Sequence, residues 1–234
     1  MDIGYNWTII SRTCLLCEGP LQPDQVVCAS CHRHLPWIEH PCPCCGRAMA
    51  VAADGLHPCG DCQRHPPHYH RSTAPFLYQP PISRLIKQMK FHQRLDVARI
   101  LGLMLAGHLA QVLEDRPQAI VPVPLHRRRL RERGYNQALE LARPVAARLG
   151  IPIDTRLVQR VRPTLEQSHL QHAERKGNIR DAFDLDRHRP YRHVAILDDV
   201  VTTGHTVDEL ARVLKRAGVE RVDVWSCCRA TGKE

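Results

Sequence analysis

Eight cysteines between residues 14 and 62 form four C-x-x-C pairs: Cys14/Cys17, Cys28/Cys31, Cys42/Cys45 and Cys59/Cys62. The two-residue spacer turns the chain back and aims both sulfurs at one ion, and two such knuckles complete a tetrahedral zinc site. A disulfide framework is the competing reading. The start, MDIGYNWTIISRTCLLC, lacks the basic and then apolar regions of a secretory leader, which argues against an oxidising compartment. A thioredoxin-like redox pair would need only one C-x-x-C. Sequential use assigns Cys14, Cys17, Cys28 and Cys31 to one site and Cys42, Cys45, Cys59 and Cys62 to the other. A cross-braced arrangement would interleave them. The sequential one is favoured because its loops, 10 and 13 residues between knuckles, are shorter and lose less entropy on closure. Four thiolates leave zinc no open position for water, so these sites are structural. Cys44, Cys227 and Cys228 stand outside them, and His32, His34, His57 and His65 read as surface residues.

A second run, VAILDDVVTTGHT at 194–206, places different chemistry on one strand–turn–helix. Val194–Leu197 predicts a strand buried on both faces. Asp198 and Asp199 follow at its carboxyl end, where ligands bind on an open parallel sheet, and both are expected to face the ligand and not the core. Val200 and Val201 lead to Thr202, Thr203, Gly204, His205 and Thr206, which open a helix. Gly204 lets backbone approach a ligand closely, and the hydroxyls and amides of 202–206 can surround a phosphate at the positive helix end. Thr206 and Glu209 have capping-box spacing. The nest takes a phosphate and the carboxylates accept hydrogen bonds from hydroxyls, so a sugar phosphate satisfies both. No G-x-x-x-x-G-K-[ST] is present, which excludes a Walker-type loop.

The third constellation is IVPVPLHRRRLRERGYNQ at 120–137. A strand ends, Val123, Pro124, Leu125 and His126 follow, and then Arg127, Arg128, Arg129, Arg131 and Arg133 arrive together. A diphosphate suits such forked donors; a solvated basic loop or a nucleic-acid patch is the alternative. A polar stretch from Arg160 to Phe183 lacks periodicity and reads as a loop.

These motifs need elements to hold them. Residues 1–68 form a small cysteine-rich module whose folding energy the metals would supply. HPPHYHRS at 65–72 reads as a linker, and 71–234 as a second domain. There, short strands at 74–78, 119–123, 193–197 and 221–227, with an edge strand within 151–160, alternate with helices. The helices fall over 82–113, broken near 91–94, over 137–149, distorted at Pro144, and over 206–217. The alternation predicts an α/β domain with a mostly parallel sheet.

Taken together, the C-x-x-C pairs, VPVPLH, RERGYNQA, the RxRPTxxQSxL stretch and ILDDVVTTGHT resemble the ComF family. That resemblance implies a zinc module preceding a type I phosphoribosyltransferase-like domain with a hood. It also implies that the substrate is phosphoribosyl pyrophosphate (PRPP) with Mg²⁺. In such a site Asp198 and Asp199 would hold the ribose hydroxyls and the 202–206 loop the 5′-phosphate. The pyrophosphate would meet amides near Val123–Leu125 and, beside Gly134–Gln137, Arg131 and Arg133. Arg127, Arg128 and Arg129 would be left to DNA. It further implies a cytoplasmic role in DNA uptake or use of external DNA, alongside proteins of the competence machinery, with an acceptor that the sequence does not name.

Composition bounds these readings. The 234 residues are 43% hydrophobic and 24% charged, as in a globular protein. No run of about 18 apolar residues stands out, so no transmembrane helix is expected. The net charge of +9 falls to +5 if eight thiolates hold two Zn²⁺ ions. It still suits an anionic partner. Two competing functions remain: a single-stranded-DNA-binding adaptor with a regulatory or vestigial PRPP pocket, disfavoured by an aromatic content of only 5%, and a salvage enzyme for a free base, which leaves the zinc module unexplained. Elemental analysis of protein purified without added metal should find about two zinc ions per chain. Replacing Cys44, Cys227 and Cys228 by Ser should leave that content unchanged, and zinc-free folded protein would overturn the assignment.

Overall fold

The computed structural model describes residues 13–23, 25–50, 57–161, 182–186 and 191–231. Their elements run α1 (Ala29–Arg33), α2 (Gly60–Arg64), β1 (Arg71–Thr73), β2 (Phe76–Leu77), α3 (Ile82–His92), α4 (Leu95–Val112), β3 (Ala119–Pro122), α5 (Arg127–Arg133), α6 (Gln137–Leu149), β4 (Val158–Arg160), β5 (Phe183–Leu185), β6 (His193–Val201), α7 (His205–Arg216) and β7 (Arg221–Arg229). The main sheet has the order β1-β7-β6-β3, with β2 also on β7, and every pairing is parallel. β6 and β7 are its spine. Val194, Ala195, Ile196 and Leu197 on one strand and Val222, Val224, Trp225, Cys227 and Cys228 on the other are buried. This is the continuous apolar run that a sheet covered on both faces requires. It also places Cys227 and Cys228 in the sheet core, away from the other cysteines.

The helix break falls where the sequence placed it: α3 ends at Gln93, in the left-handed region at φ 52°, and α4 begins two residues later. α4, at 18 residues, is long and apolar enough to cross a membrane by length and composition. It lies instead in the core, burying Val97, Ala98, Leu101, Leu105, Ala106 and Leu109. It crosses α6 at Gly102. A Cβ there would stand 2.3 Å from Pro144 Cγ and 2.7 Å from the Leu141 carbonyl oxygen. α6 runs unbroken through Pro144 to Leu149, so the proline serves as packing surface for α4 as well as a local distortion.

Two expectations are corrected. The 65–72 stretch is not all linker: His70 N donates to Val222 O at 2.7 Å, and Arg71–Thr73 pairs with Asp223–Trp225. The open edge of β7 recruits this segment because unpaired strand groups need partners. The 151–160 segment does not form one edge strand. Ile153 makes a single parallel bridge to Ile120, and Asp154 Oδ1 then accepts from the amides of Arg156 and Leu157. That turn lifts the chain off the sheet into a separate antiparallel pair, β4 with β5. The stretch read as a polar loop lies mostly outside the described residues, but both its ends are in this small sheet.

The cysteine-rich module packs on the sheet edge. Trp37 bridges Phe76, with ring centroids 4.6 Å apart. Ile38 N donates to Pro75 O and Leu77 N to Pro36 O at 2.9 and 2.8 Å. Replacing Gly102 by Ala should wedge α4 from α6 and lower the unfolding free energy by about 2 kcal/mol. Urea denaturation with an unchanged slope would show it, and an unshifted midpoint would refute the close crossing.

Candidate functional site

β6 does not stop at Leu197. It stays paired through Asp198↔Ser226, Val200↔Cys228 and Val201↔Arg229, so the two carboxylates lie within the strand and not after it. Asp199 is buried and forms an ion pair with Lys90 Nζ on α3 at 2.7 Å. The expectation that both carboxylates face only a ligand is therefore corrected for Asp199, whose charge also meets a core helix. Burial pushes the Asp198 carboxyl up to about 7, the Asp199 charge adds to the rise, and Lys90 opposes it. Burial would lower Lys90, but the Asp199 contact outweighs it and raises the ammonium.

After Val201 the chain turns through Thr202–Gly204, with Gly204 at φ 87° as the N-cap of α7. No side chain caps this helix, and Thr206 lies inside it. Glu209 instead takes Arg212 Nε at 2.7 Å. The predicted capping box does not form because the helix starts at His205, two positions too early for Thr206 to be its N-cap. The amides of a helix's first turn have no acceptor within the helix. Thr202, Gly204 and Thr206 line the cavity above this turn.

That cavity, of about 420 Å³, also receives Asp198 and Asp199 and the side chains of Lys87, Lys90, Arg129, Arg133 and Arg160. Five cations against two carboxylates give its lining an excess of positive charge. The arginine segment is a helix, α5, and not a loop. His126 Nδ1 accepts from Arg128 N at 3.3 Å to cap its start, and Gly134 ends it at φ 80°. Residues four apart share a helix face, so Arg129 and Arg133 face the cavity while Arg131 is exposed with Arg127 and Arg128. Arg128 pairs with Glu132 at 2.9 Å. The division of the arginines by nearness to Gly134–Gln137 is thus replaced by one set by helical period.

The neighbouring residues frame the cavity. Tyr135 Oη donates to Met89 O, tying this segment to the helix that carries Lys90. Asn136 caps α6 through Ala138 N at 3.0 Å and donates Nδ2 to Val123 O at 3.1 Å. Val123 N is engaged with Leu197 O at 2.8 Å. Its amide is therefore unavailable to a ligand, and Pro124 has no amide proton. Of the three residues expected to supply amides, Leu125 alone has a main-chain donor outside the sheet ladder, and it lines the cavity.

The cysteines gather as the sequential reading has them. The sulfurs of Cys14, Cys17, Cys28 and Cys31 lie within 4.8 Å of one another, and so do those of Cys42, Cys45, Cys59 and Cys62. Zinc–thiolate bonds of about 2.3 Å give tetrahedral sulfur–sulfur edges of about 3.8 Å. Cys17 and Cys28 stand at 3.7 Å and Cys45 and Cys59 at 3.8 Å, so the residues fit the metal. Backbone amides also point at the sulfurs, Cys28 N at Cys14 and Cys59 N at Cys42. Burial would raise the Cys14 thiol, but such amides outweigh it and bring it down to about 6.

Comparison with known proteins decides the family. Residues 135–233 match the phosphoribosyl transferase domain and residues 8–63 the double zinc ribbon domain. The chain is 40% identical to the DNA utilization protein YhgH of Salmonella typhimurium, over 92% of this chain and 96% of that protein. It is 33% identical to competence protein F of Haemophilus influenzae, over 93% and 96%. Against competence protein ComFC of Bacillus subtilis it is 26% identical, over 88% and 89%. The chain belongs to the ComF family. Its architecture is that of the resemblance: a double zinc ribbon with two four-cysteine sites, followed by a phosphoribosyltransferase domain on a parallel sheet.

Sequence reasoning missed Lys87 and Lys90, which sit in an ordinary amphipathic helix pattern, and gave Arg160 no role. Burial lowers Arg160, and the nearby Arg129 adds to it. Only the fold brings these cations to one cavity. The raised Asp198 carboxyl has a stability consequence. Its proton is held more tightly in the folded chain than at the ordinary value of 3.8, so its contribution is full below about pH 4 and is lost as pH rises toward about 7. Asp198→Asn should abolish that slope. Denaturant titrations at pH 5 and pH 8 should therefore show the variant gaining stability relative to wild type at the higher pH, and equal differences would contradict the buried carboxyl.

Proposed function

We propose that this ComF-family chain binds PRPP, with Mg²⁺, in the cavity at the carboxyl end of β6 and serves the use of external DNA. One observation carries the reading: a single cavity joins a Thr/Gly turn at a helix N-terminus, an acidic pair and five cations. The turn at Thr202–Thr206 would take the 5′-phosphate through its amides and hydroxyls. Asp198 and Asp199 would accept hydrogen bonds from the ribose hydroxyls. Arg129, Arg133 and the Leu125 amide would hold the pyrophosphate, with Lys90 near enough to share its charge with Asp199 and the ligand.

In this arrangement the ribose is fixed from one side and its leaving group is drawn by fixed donors from the other, which lowers the barrier to losing pyrophosphate. Mg²⁺ would supply further charge neutralisation at the diphosphate. Of the two carboxylates that line the cavity, Asp198 is the one suited to approach it, because Asp199 is engaged with Lys90. The reaction class is pentosyl transfer, with pyrophosphate released and the acceptor joined to the anomeric carbon. The eight paired cysteines would hold two structural zinc ions, a chemistry that requires reduced thiolates and fits a cytoplasmic setting.

The outer face of α5 supports a second contact. Arg127, Arg128 and Arg131 are exposed and lie off the cavity lining. The relatives' names refer to DNA utilization and competence, and we read this basic face as a contact for single-stranded DNA. Calorimetric titration of PRPP with Mg²⁺ should show that Arg129→Ala/Arg133→Ala weakens binding by at least about tenfold, since hydrogen bonds between charged groups are among the strongest. Arg127→Ala/Arg131→Ala should leave PRPP affinity within about twofold and reduce the salt slope for single-stranded DNA by roughly 1.4. Wild-type protein that binds no PRPP would overturn the cavity assignment, and no DNA binding at moderate salt would remove the second contact.

A further inference from the structure

The Thr/Gly turn is held from beneath by a residue that does not line the cavity. Arg229 is the last residue of β7, and it is only 1% exposed. Its Nη1 donates to Val201 O at 2.8 Å and also to Thr202 O, while its Nε donates to Cys45 O at 3.0 Å. One guanidinium thus joins two carbonyls of the turn to one carbonyl of the second four-cysteine site. We infer that Arg229 is a positioning residue that couples the second zinc site to the backbone of the phosphate turn.

The planar fork makes this more than a buried contact. In a trans peptide the carbonyl and the following amide point in opposite directions. The Val201 carbonyl also accepts from Ala230 N at 3.0 Å, so Arg229 reinforces a ladder bond there; at Thr202, drawing the carbonyl down onto the guanidinium turns the Thr203 amide up, away from it. Thr202 lies on the cavity wall, so this is the orientation a phosphate needs. Gly204 sits over the same point: a Cβ there would be 3.9 Å from Arg229 Nη2 and 3.7 Å from Tyr69 Oη.

The other end of the bridge is equally fixed. Cys45 lies in the Cys42–Cys45 knuckle, closed by Gly46 N to Cys42 O at 2.9 Å and Cys42 N to Arg47 O at 2.8 Å. Ser72 N donates to Cys44 O at 2.7 Å, binding the knuckle to β1. Gly46, at φ 66°, lies so close to β1 that a Cβ would stand 2.6 Å from Ser72 O. The first four-cysteine site meets the sheet elsewhere, through the Trp37–Phe76 pair. The geometry therefore assigns the coupling to the second site alone.

The inference rests on reading the turn as a phosphate cradle, but its test does not depend on PRPP. Hydrogen–deuterium exchange of residues 202–206 should be measured on the ligand-free full chain, with zinc content and exchange of the β3 and β6 core as controls. Arg229→Lys keeps the charge without the fork, and Arg229→Met removes both. Each should speed exchange of the turn by roughly tenfold or more, Met the more strongly, while the core stays protected and zinc remains bound. Cys59→Ser/Cys62→Ser should reproduce the effect, and Cys17→Ser/Cys31→Ser should not. An Arg229→Lys variant whose turn exchanges at the wild-type rate would overturn the coupling, as would equal acceleration from both cysteine pairs. Should an Arg229 variant fail to fold, the two cysteine-pair variants decide between these outcomes by themselves. A turn that responds in a chain with no affinity for PRPP would keep the coupling and reject the substrate.

Discussion

The parallel pairing of β6 with β7 runs from His193↔Arg221 to Val201↔Arg229, and both ends of the proposed chemistry depend on it. At the carboxyl end of the pair one strand delivers the carboxylates and the Thr/Gly turn, and the other delivers the guanidinium beneath that turn. Register is what makes this work. A slip of one residue would turn every side chain of β6 to the opposite face of the sheet. The unbroken apolar stretch Val194–Leu197 alone does not fix that register; the long match with Val222–Cys228 and the pairing of Ala119–Pro122 on the other side do.

Charge in the cavity is arranged around one buried contact. Lys90 and Asp199 leave water together, and each is tolerated because the other is there. Removing either would leave an uncompensated charge beside a cavity that is already rich in cations. Asp199 has a cationic partner at contact distance, while Asp198 has burial and a like charge as its main neighbours and is pushed up to about 7. A ligand entering this cavity meets acidic and basic groups that are fixed before it arrives, which is the condition under which electrostatic stabilisation is strongest.

The double zinc ribbon is continuous with the sheet that carries the cavity. Pro36–Ile38 adds its hydrogen bonds to β2, and the second knuckle adds Cys44 O to β1 and Cys45 O to Arg229. A metal site is an effective anchor for this purpose, because four ligands fix a backbone that has too few large apolar side chains to fix itself. In the proposed reading the ribbon stiffens the turn that would hold a phosphate, while no residue of the ribbon lines the cavity.

By itself the sequence determined the local features. C-x-x-C spacing is a property of a few adjacent residues, and so are the strand at Val194–Leu197, the turn at Gly204 and the break between α3 and α4; each was legible because short-range sterics and periodicity decide it. The ComF resemblance rested on such runs too. Tertiary structure decided which distant residues meet. Lys90, Arg160 and Arg229 carry no local signal, since a lysine on a helix, an arginine before a polar stretch and an arginine at a strand end are ordinary residues until the fold closes around them. It also decided that Arg129 and Arg133, and not Arg131, face the cavity, because the segment folds as a helix and its 3.6-residue period overrides nearness along the chain. The same holds for Asp199, whose partner Lys90 stands far away along the chain and is brought to it only by the fold.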